Sequence, residues 1–261
     1  MDMPTKLTEA ELWTKARDIL HFVGICGAGK STLSSRLAVR IANHGGKVIG
    51  TIDYDPHTPD TDRAAERAFS RALDQRNIKT SYSDPAVHQE IVDHTLGMLT
   101  RWTESDANVV MVDRWYESYD NLPREHVKYI EAAIQSSGFR VHHVLLRVED
   151  KPLGDAENAI RERLLHTKGT RPGTWWDSGP DSLEAWVKAE QAYQDEYDVF
   201  LQRSPFMSSW VRTTEMDWDR YEDDIVHGLI YRRWKEACNT ITEPSLVALE
   251  KIMMAGLSEN N

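Results

Sequence analysis

Gly24-Ile25-Cys26-Gly27-Ala28-Gly29-Lys30-Ser31 spells G-x-x-x-x-G-K-S, the pattern of a phosphate-binding loop, and it is followed by Thr32. Its chemistry follows from its residue types. Gly24, Gly27 and Gly29, with the small Ala28, let backbone N–H groups turn inward around the α- and β-phosphates of a nucleotide. Lys30 reaches the β/γ oxygens, and the Ser31 hydroxyl completes a Mg²⁺ shell. The expected cofactors are ATP and Mg²⁺, with GTP an open alternative to ATP.

Further residues could act on the same phosphates. Asp113 ends the apolar run Asn108-Val109-Val110-Met111-Val112 and is followed by Arg114. With Ser31 it is the candidate metal ligand, the alternative being a carboxylate that caps the next turn. Asp53 and Asp55 stand two apart, so on a continuing strand they point to one face. One could take the proton of an acceptor hydroxyl while the other orients the acceptor. Alternatively, Asp55-Pro56 simply turns the chain.

Arg161, Arg163, Lys168 and Arg171 form a basic cluster. On one helix Arg161 and Arg163 lie about 200° apart, so both cannot face one ligand. A lid at about 161–180 would bring Arg163 and Arg171 to the transferring phosphoryl group; the other reading is a solvated turn. Trp175-Trp176 could stack on a base or pack the loop onto the core. Arg63, Arg67 and Arg71 could meet an acceptor phosphate or pair with Glu66 and Asp74. Phosphoryl transfer needs positioning and charge neutralisation rather than covalent chemistry, and this set of residues can supply both.

Other chemistries lack their residues. No Cys/His cluster has zinc spacing, and no G-x-S-x-G occurs. His142 and His143 are neighbours on an expected strand and face opposite sides, which argues against a shared metal.

The elements that must hold these groups alternate. Strands are expected at 19–23, 47–52, 108–113, 139–148 and 208–213. Helices are expected at 7–18, 30–43, 60–77, 85–103, 123–137, 154–166, 181–201 and 221–238, with a basic loop at 168–173. Strands alternating with helices in this way imply right-handed βαβ units and a parallel, doubly wound sheet. In such a sheet ligands bind outside the carboxyl ends of the strands, so the phosphate loop, Asp53-Tyr54-Asp55 and Asp113-Arg114 should meet at one crevice. Residues 1–18 read as a helical extension, 19–238 as the catalytic domain and 239–261 as a helical appendage.

The chain has 261 residues and a formal charge of −11, which disfavours broad electrostatic capture of duplex DNA but leaves room for a local basic groove. Two cysteines, Cys26 and Cys238, do not make a disulfide framework, and a reducing interior is expected. No apolar run near ~18 residues and no signal-type start occurs, so a soluble cytoplasmic protein, or one in a host cytoplasm if viral, is expected.

The order of motifs over residues 19–238 resembles the thymidylate kinase family and its nucleoside and nucleotide kinase relatives. The loop 24–31 matches the family's phosphate loop, Asp113-Arg114-Trp115 is similar to its D-R-Y/H, Arg161 to Arg171 to its lid, and Asp55-Pro56 to its E-P. The resemblance implies a three-layer α/β P-loop kinase fold with a helical lid, and an ATP-dependent kinase acting on a pyrimidine-type nucleoside or nucleotide. Cys26 stands where the family usually has an acid, and the helix before D-R-W carries only Arg101 near its end for an acceptor phosphate. Asp53-x-Asp55 looks instead like the D-x-D of kinases that phosphorylate hydroxyls. The viral offshoot that phosphorylates 5-hydroxymethyluracil in DNA is therefore the alternative, with DNA as substrate. A nucleotide-hydrolysing switch without an acceptor is a third reading. A homodimer is left open.

Overall fold

The computed structural model describes residues 7–15, 17–50, 85–113, 115, 122–148, 156–170 and 182–238, with side chains to 167 and 236 in the last two stretches. Five strands are found: β1 (Asp18–Gly24), β2 (Val48–Gly50), β3 (Val109–Asp113), β4 (Arg140–Arg147) and β5 (Met207–Arg212). The described helices are α1 (Glu9–Thr14), α2 (Lys30–Asn43), α3 (Pro85–Glu104), α4 (Arg124–Ser136), α5 (Ala156–Thr170), α6 (Leu183–Arg203) and α7 (Trp218–Cys238).

The strands pair in parallel in the order β2-β3-β1-β4-β5. Because β1 is central, every residue in it is buried, and its side chains must suit two different layers. Leu20 and Phe22 point into a core shared with α1, α2, α5 and α7, where Trp13, Leu33, Leu37, Ile160, Leu164 and Tyr221 meet them. Ile19 lies on the other face with Val110, Val112 and Val141, against Ile91, Trp102 and Ile130 of α3 and α4. The α6 residue Leu201 packs on Val23 and Leu145 of that second face. The result is the expected three-layer α/β fold, with a parallel sheet between helical layers.

The chain leaves β1 toward one sheet edge and later returns to its other side. The neighbours of β1 therefore diverge, and a crevice opens above its carboxyl end. Register brings the site partners together there, since Phe22 is opposite Asp113 and Gly24 is opposite Leu146.

Several boundaries differ from the sequence expectation. The first helix stops at Thr14 rather than near Asp18, and Asp18 opens β1. There its carboxylate is buried against the Arg233 guanidinium, a partner that local sequence does not show. Thr8 caps that helix in a reciprocal box with Glu11. The helix expected at 154–166 runs on to Thr170, so Lys168-Gly169-Thr170 is helical rather than loop. The closing helix begins at Trp218, three residues before the expected Tyr221. Among the described residues no helix is long and apolar enough to cross a membrane.

Candidate phosphate-binding site

Strand β1 ends at Gly24, and α2 begins six residues later at Lys30. Gly29 is its N-cap, in the left-handed region at φ +96°, and supplies no side chain to the helix start. No acidic residue occupies the first turn either, so the N–H groups and the positive end of the helix dipole are kept for an anion. Gly27 has φ +77°, and a Cβ placed there would stand 2.6 Å from Thr167 Oγ1 and 2.9 Å from Arg163 Cγ. Any other residue would push α5 off the loop. A Cβ on Gly29 would collide with the indole of Trp218.

Inside the loop, Lys30 is only 6% exposed, and its Nζ donates to the carbonyls of Gly24 at 2.6 Å and Ile25 at 3.0 Å. The Ser31 hydroxyl donates to Asp113 Oδ2 at 3.3 Å across to β3. Asp113 Oδ1 is buried and accepts no hydrogen bond. A buried carboxylate oxygen without a donor is costly, and a divalent cation beside the Ser31 hydroxyl removes that cost. The expected pair Ser31 and Asp113 thus stands together and fits Mg²⁺. Among the described residues no group of three or more His, Cys, Asp or Glu could hold a metal, so a cation here would share its shell with phosphate oxygens and water.

The basic cluster divides. Arg163 reaches the site from α5, but its guanidinium donates to the carbonyl of Thr213 and, at 3.4 Å, to that of Thr214, just beyond β5. Burial draws its pKa down from the ordinary guanidinium range. Arg161 turns away, as its spacing requires, and pairs with Glu184 of α6 at 2.8 Å. Trp115 of the D-R-W triplet is 2% exposed and packs edge-on to His21. Asp53, Asp55, Arg63, Arg67, Arg71, Arg114, Arg171, Trp175 and Trp176, and the side chain of Lys168, lie outside the described residues.

Two contacts on the loop were not foreseen. The Cys26 N–H donates to Glu190 Oε2 at 2.8 Å, and Trp218 covers Gly29. Glu190 begins a polar stripe on α6. One turn on, Gln194 Oε1 accepts the Val148 N–H at 2.9 Å, and a further turn on, Asp198 pairs with Arg147. These three side chains at four-residue spacing fasten the helix to the ends of β1 and β4. The signal available in the sequence was a Glu and a Gln on the helical face that otherwise carries Val187 and Leu201, both buried.

No protein-family model matches the chain, and no curated protein matches its sequence. Solved structures do resemble it. The shikimate kinase of Acinetobacter baumannii in complex with shikimate is 12% identical with a TM-score of 0.48, over 85% of this chain and 98% of that one. The YorR protein of Bacillus subtilis in complex with phosphorylated GDP is 14% identical with a TM-score of 0.46, over 82% and 97%. The deoxyadenosine kinase of M. mycoides with bound dATP is 15% identical with a TM-score of 0.44, over 82% and 99%.

Proposed function

We propose that this chain is a P-loop phosphotransferase that moves the γ-phosphoryl group of ATP to a pyrimidine-type nucleoside or nucleotide. The observation that carries the reading is the meeting of Lys30, Ser31 and Asp113 at the carboxyl ends of β1 and β3, with one Asp113 oxygen buried and without a donor.

The open N–H groups at the start of α2 bind the α- and β-phosphates. The Lys30 ammonium exchanges the carbonyls of Gly24 and Ile25 for the β/γ oxygens, where its charge offsets the charge that develops as the γ-phosphoryl group leaves. Ser31 and Asp113 would hold Mg²⁺, which would supply further neutralisation of phosphate charge. The acceptor oxygen bonds to the γ-phosphorus as the bond to the bridging oxygen of ADP breaks, and the acceptor proton passes to Asp53 or Asp55. That assignment rests on their two-residue spacing, and the acceptor class rests on the resemblance of Asp113-Arg114-Trp115 to the D-R-Y/H triplet.

Incubation with γ-labelled ATP, Mg²⁺ and a panel of nucleosides, nucleotides and DNAs tests the proposal. Label on a free pyrimidine nucleoside or nucleotide is the expected result. Label only on DNA containing 5-hydroxymethyluracil would move the acceptor to the polynucleotide. Release of labelled phosphate with no labelled acceptor would overturn the transferase reading.

A further inference from the structure

Arg163 is 6% exposed, and its side chain spans two loops. Its stem lies against the phosphate loop, where a Cβ on Gly27 would stand 2.9 Å from its Cγ and 3.3 Å from its carbonyl oxygen. Its guanidinium ends on the turn that follows β5, donating to the carbonyl of Thr213 and, at 3.4 Å, to that of Thr214. The turn folds back on the first of these carbonyls. The Met216 N–H donates to Thr213 at 3.3 Å, and the Trp218 N–H donates to Met216 at 3.1 Å. Between them Met216 takes φ +54°, a left-handed conformation that a long side chain adopts only where its surroundings hold it. At its other end the turn is tied to the sheet, since the Thr213 N–H donates to the Arg147 carbonyl at 2.8 Å. Arg163 is thus the side chain that fixes this strained turn to the phosphate loop rather than to β4.

Sheet order indicates which part of a nucleotide the turn meets. Ser31 and Asp113, the pair that fits Mg²⁺, put the γ end of a triphosphate toward β3, on one side of β1. Strands β4 and β5 lie on the other side of β1. A triphosphate laid over the loop with its γ end toward Asp113 therefore sends its nucleoside toward β4 and β5, where residues 213–218 stand. Trp218 shows how near they come, because its indole fills the space that a Cβ on Gly29 would need.

We propose that Arg163 is a positioning residue that locks the turn 213–218 against the phosphate loop, so that it governs the hold on the nucleoside moiety and not the hold on the phosphates. This rests on the reading of residues 24–31 as a triphosphate site. It also gives Arg163 a different task from the transferring phosphoryl group, since its guanidinium stays on the two carbonyls.

Two variants keep the stem against Gly27 and change only the end. Arg163→Met removes every donor, and Arg163→Lys keeps the charge but lacks the planar fork that spans two carbonyls. Calorimetric titration of the full chain with ATP and with inorganic tripolyphosphate, each with Mg²⁺, separates the nucleoside from the phosphates. Arg163→Met should weaken ATP binding about tenfold, the scale of a lost hydrogen bond from a charged group, and leave tripolyphosphate binding within about twofold of the wild type. Arg163→Lys should fall between wild type and Arg163→Met for ATP alone. Equal losses for the two ligands would overturn the proposal, as expected of an arginine that touches phosphate or merely supports the fold. So would unchanged ATP binding by both variants. If Arg163→Met fails to fold, Arg163→Lys carries the same comparison. The wild-type chain supplies a test that needs no variant: tripolyphosphate bound as tightly as ATP would leave the nucleoside no hold for Arg163 to govern. The parent reading fails separately, by a wild-type chain that binds neither ligand.

Discussion

Lys30 and Asp113 are the two described charges on which the proposed transfer would depend, and they should fail differently when removed. Lys30→Ala deletes a buried ammonium that donates to two backbone carbonyls and that, in the proposed function, would turn to phosphate oxygens. Asp113→Ala deletes the buried oxygen that fits a cation while leaving the loop backbone in place. Removing one group that stabilises transition-state charge typically costs about 10²–10³-fold in turnover. Steady-state kinetics should therefore show losses of that order or greater for both variants. ATP binding should fall with Lys30→Ala in the absence of Mg²⁺ as well as in its presence, whereas Asp113→Ala should lose affinity chiefly when Mg²⁺ is present. Both residues were legible in the sequence because each is fixed by its immediate neighbours: Lys30 by the glycine spacing, and Asp113 by the apolar strand it ends. Arg163 was legible only as a basic residue. Its guanidinium ends on the carbonyls of Thr213 and Thr214, 50 and 51 positions away, and no local pattern announces such partners.

At the scale of elements, α6 is joined to the sheet by hydrogen bonds as well as by packing. Gln194 is the clearest case, being buried and satisfying the Val148 N–H where β4 ends. Gln194→Leu would strand that amide in an apolar setting, and an unsatisfied buried donor costs about 1–3 kcal/mol. Urea unfolding should show a loss in that range, and Gln194→Glu, which restores an acceptor, should recover part of it above the carboxylate titration range. The strands and the order of elements could be read from sequence because apolar runs and capping residues are local features. The end of α1 and the extension of α5 to Thr170 were misjudged because distant partners shift such ends. Asp18 enters a strand to meet Arg233, for example, rather than closing a helix. The stripe Glu190, Gln194 and Asp198 escaped notice because its meaning lies in the strand ends it touches.

Across the whole molecule, a line of histidines runs through the middle of the sheet. Arg232 can only donate, so its contact of 2.9 Å makes His142 Nδ1 an acceptor and leaves Nε2–H to donate to Ser209 Oγ at 2.9 Å. His21 and His143 share one proton between their Nδ1 atoms at 2.8 Å. Burial first, then Arg232, pushes His142 down to about 3, and burial followed by His21 and His142 holds His143 well below its ordinary value. Both rings are therefore neutral in the fold but protonate in the unfolded chain near pH 6.5. Stability from this source is fully present above pH 6.5 and is lost as pH falls toward about 3. At pH 5 the loss from His142 alone is about 2 kcal/mol. Thermal melts at pH 7.5 and pH 5 should reveal a marked drop, and His142→Gln should shrink it.

The bond between Asp18 and Arg233 joins residues 215 positions apart, and the pairs of Arg36 with Asp219 and Arg40 with Asp223 each span 183. Cys26 likewise waits for a partner 164 residues downstream. During synthesis the phosphate loop is thus among the first parts of the chain to be made and among the last to be completed. On the ribosome the buried carboxylate that opens β1 lacks its Arg233 partner until most of α7 has emerged. A nascent chain of this protein completes its candidate phosphate-binding loop only after α6 and α7 have been made.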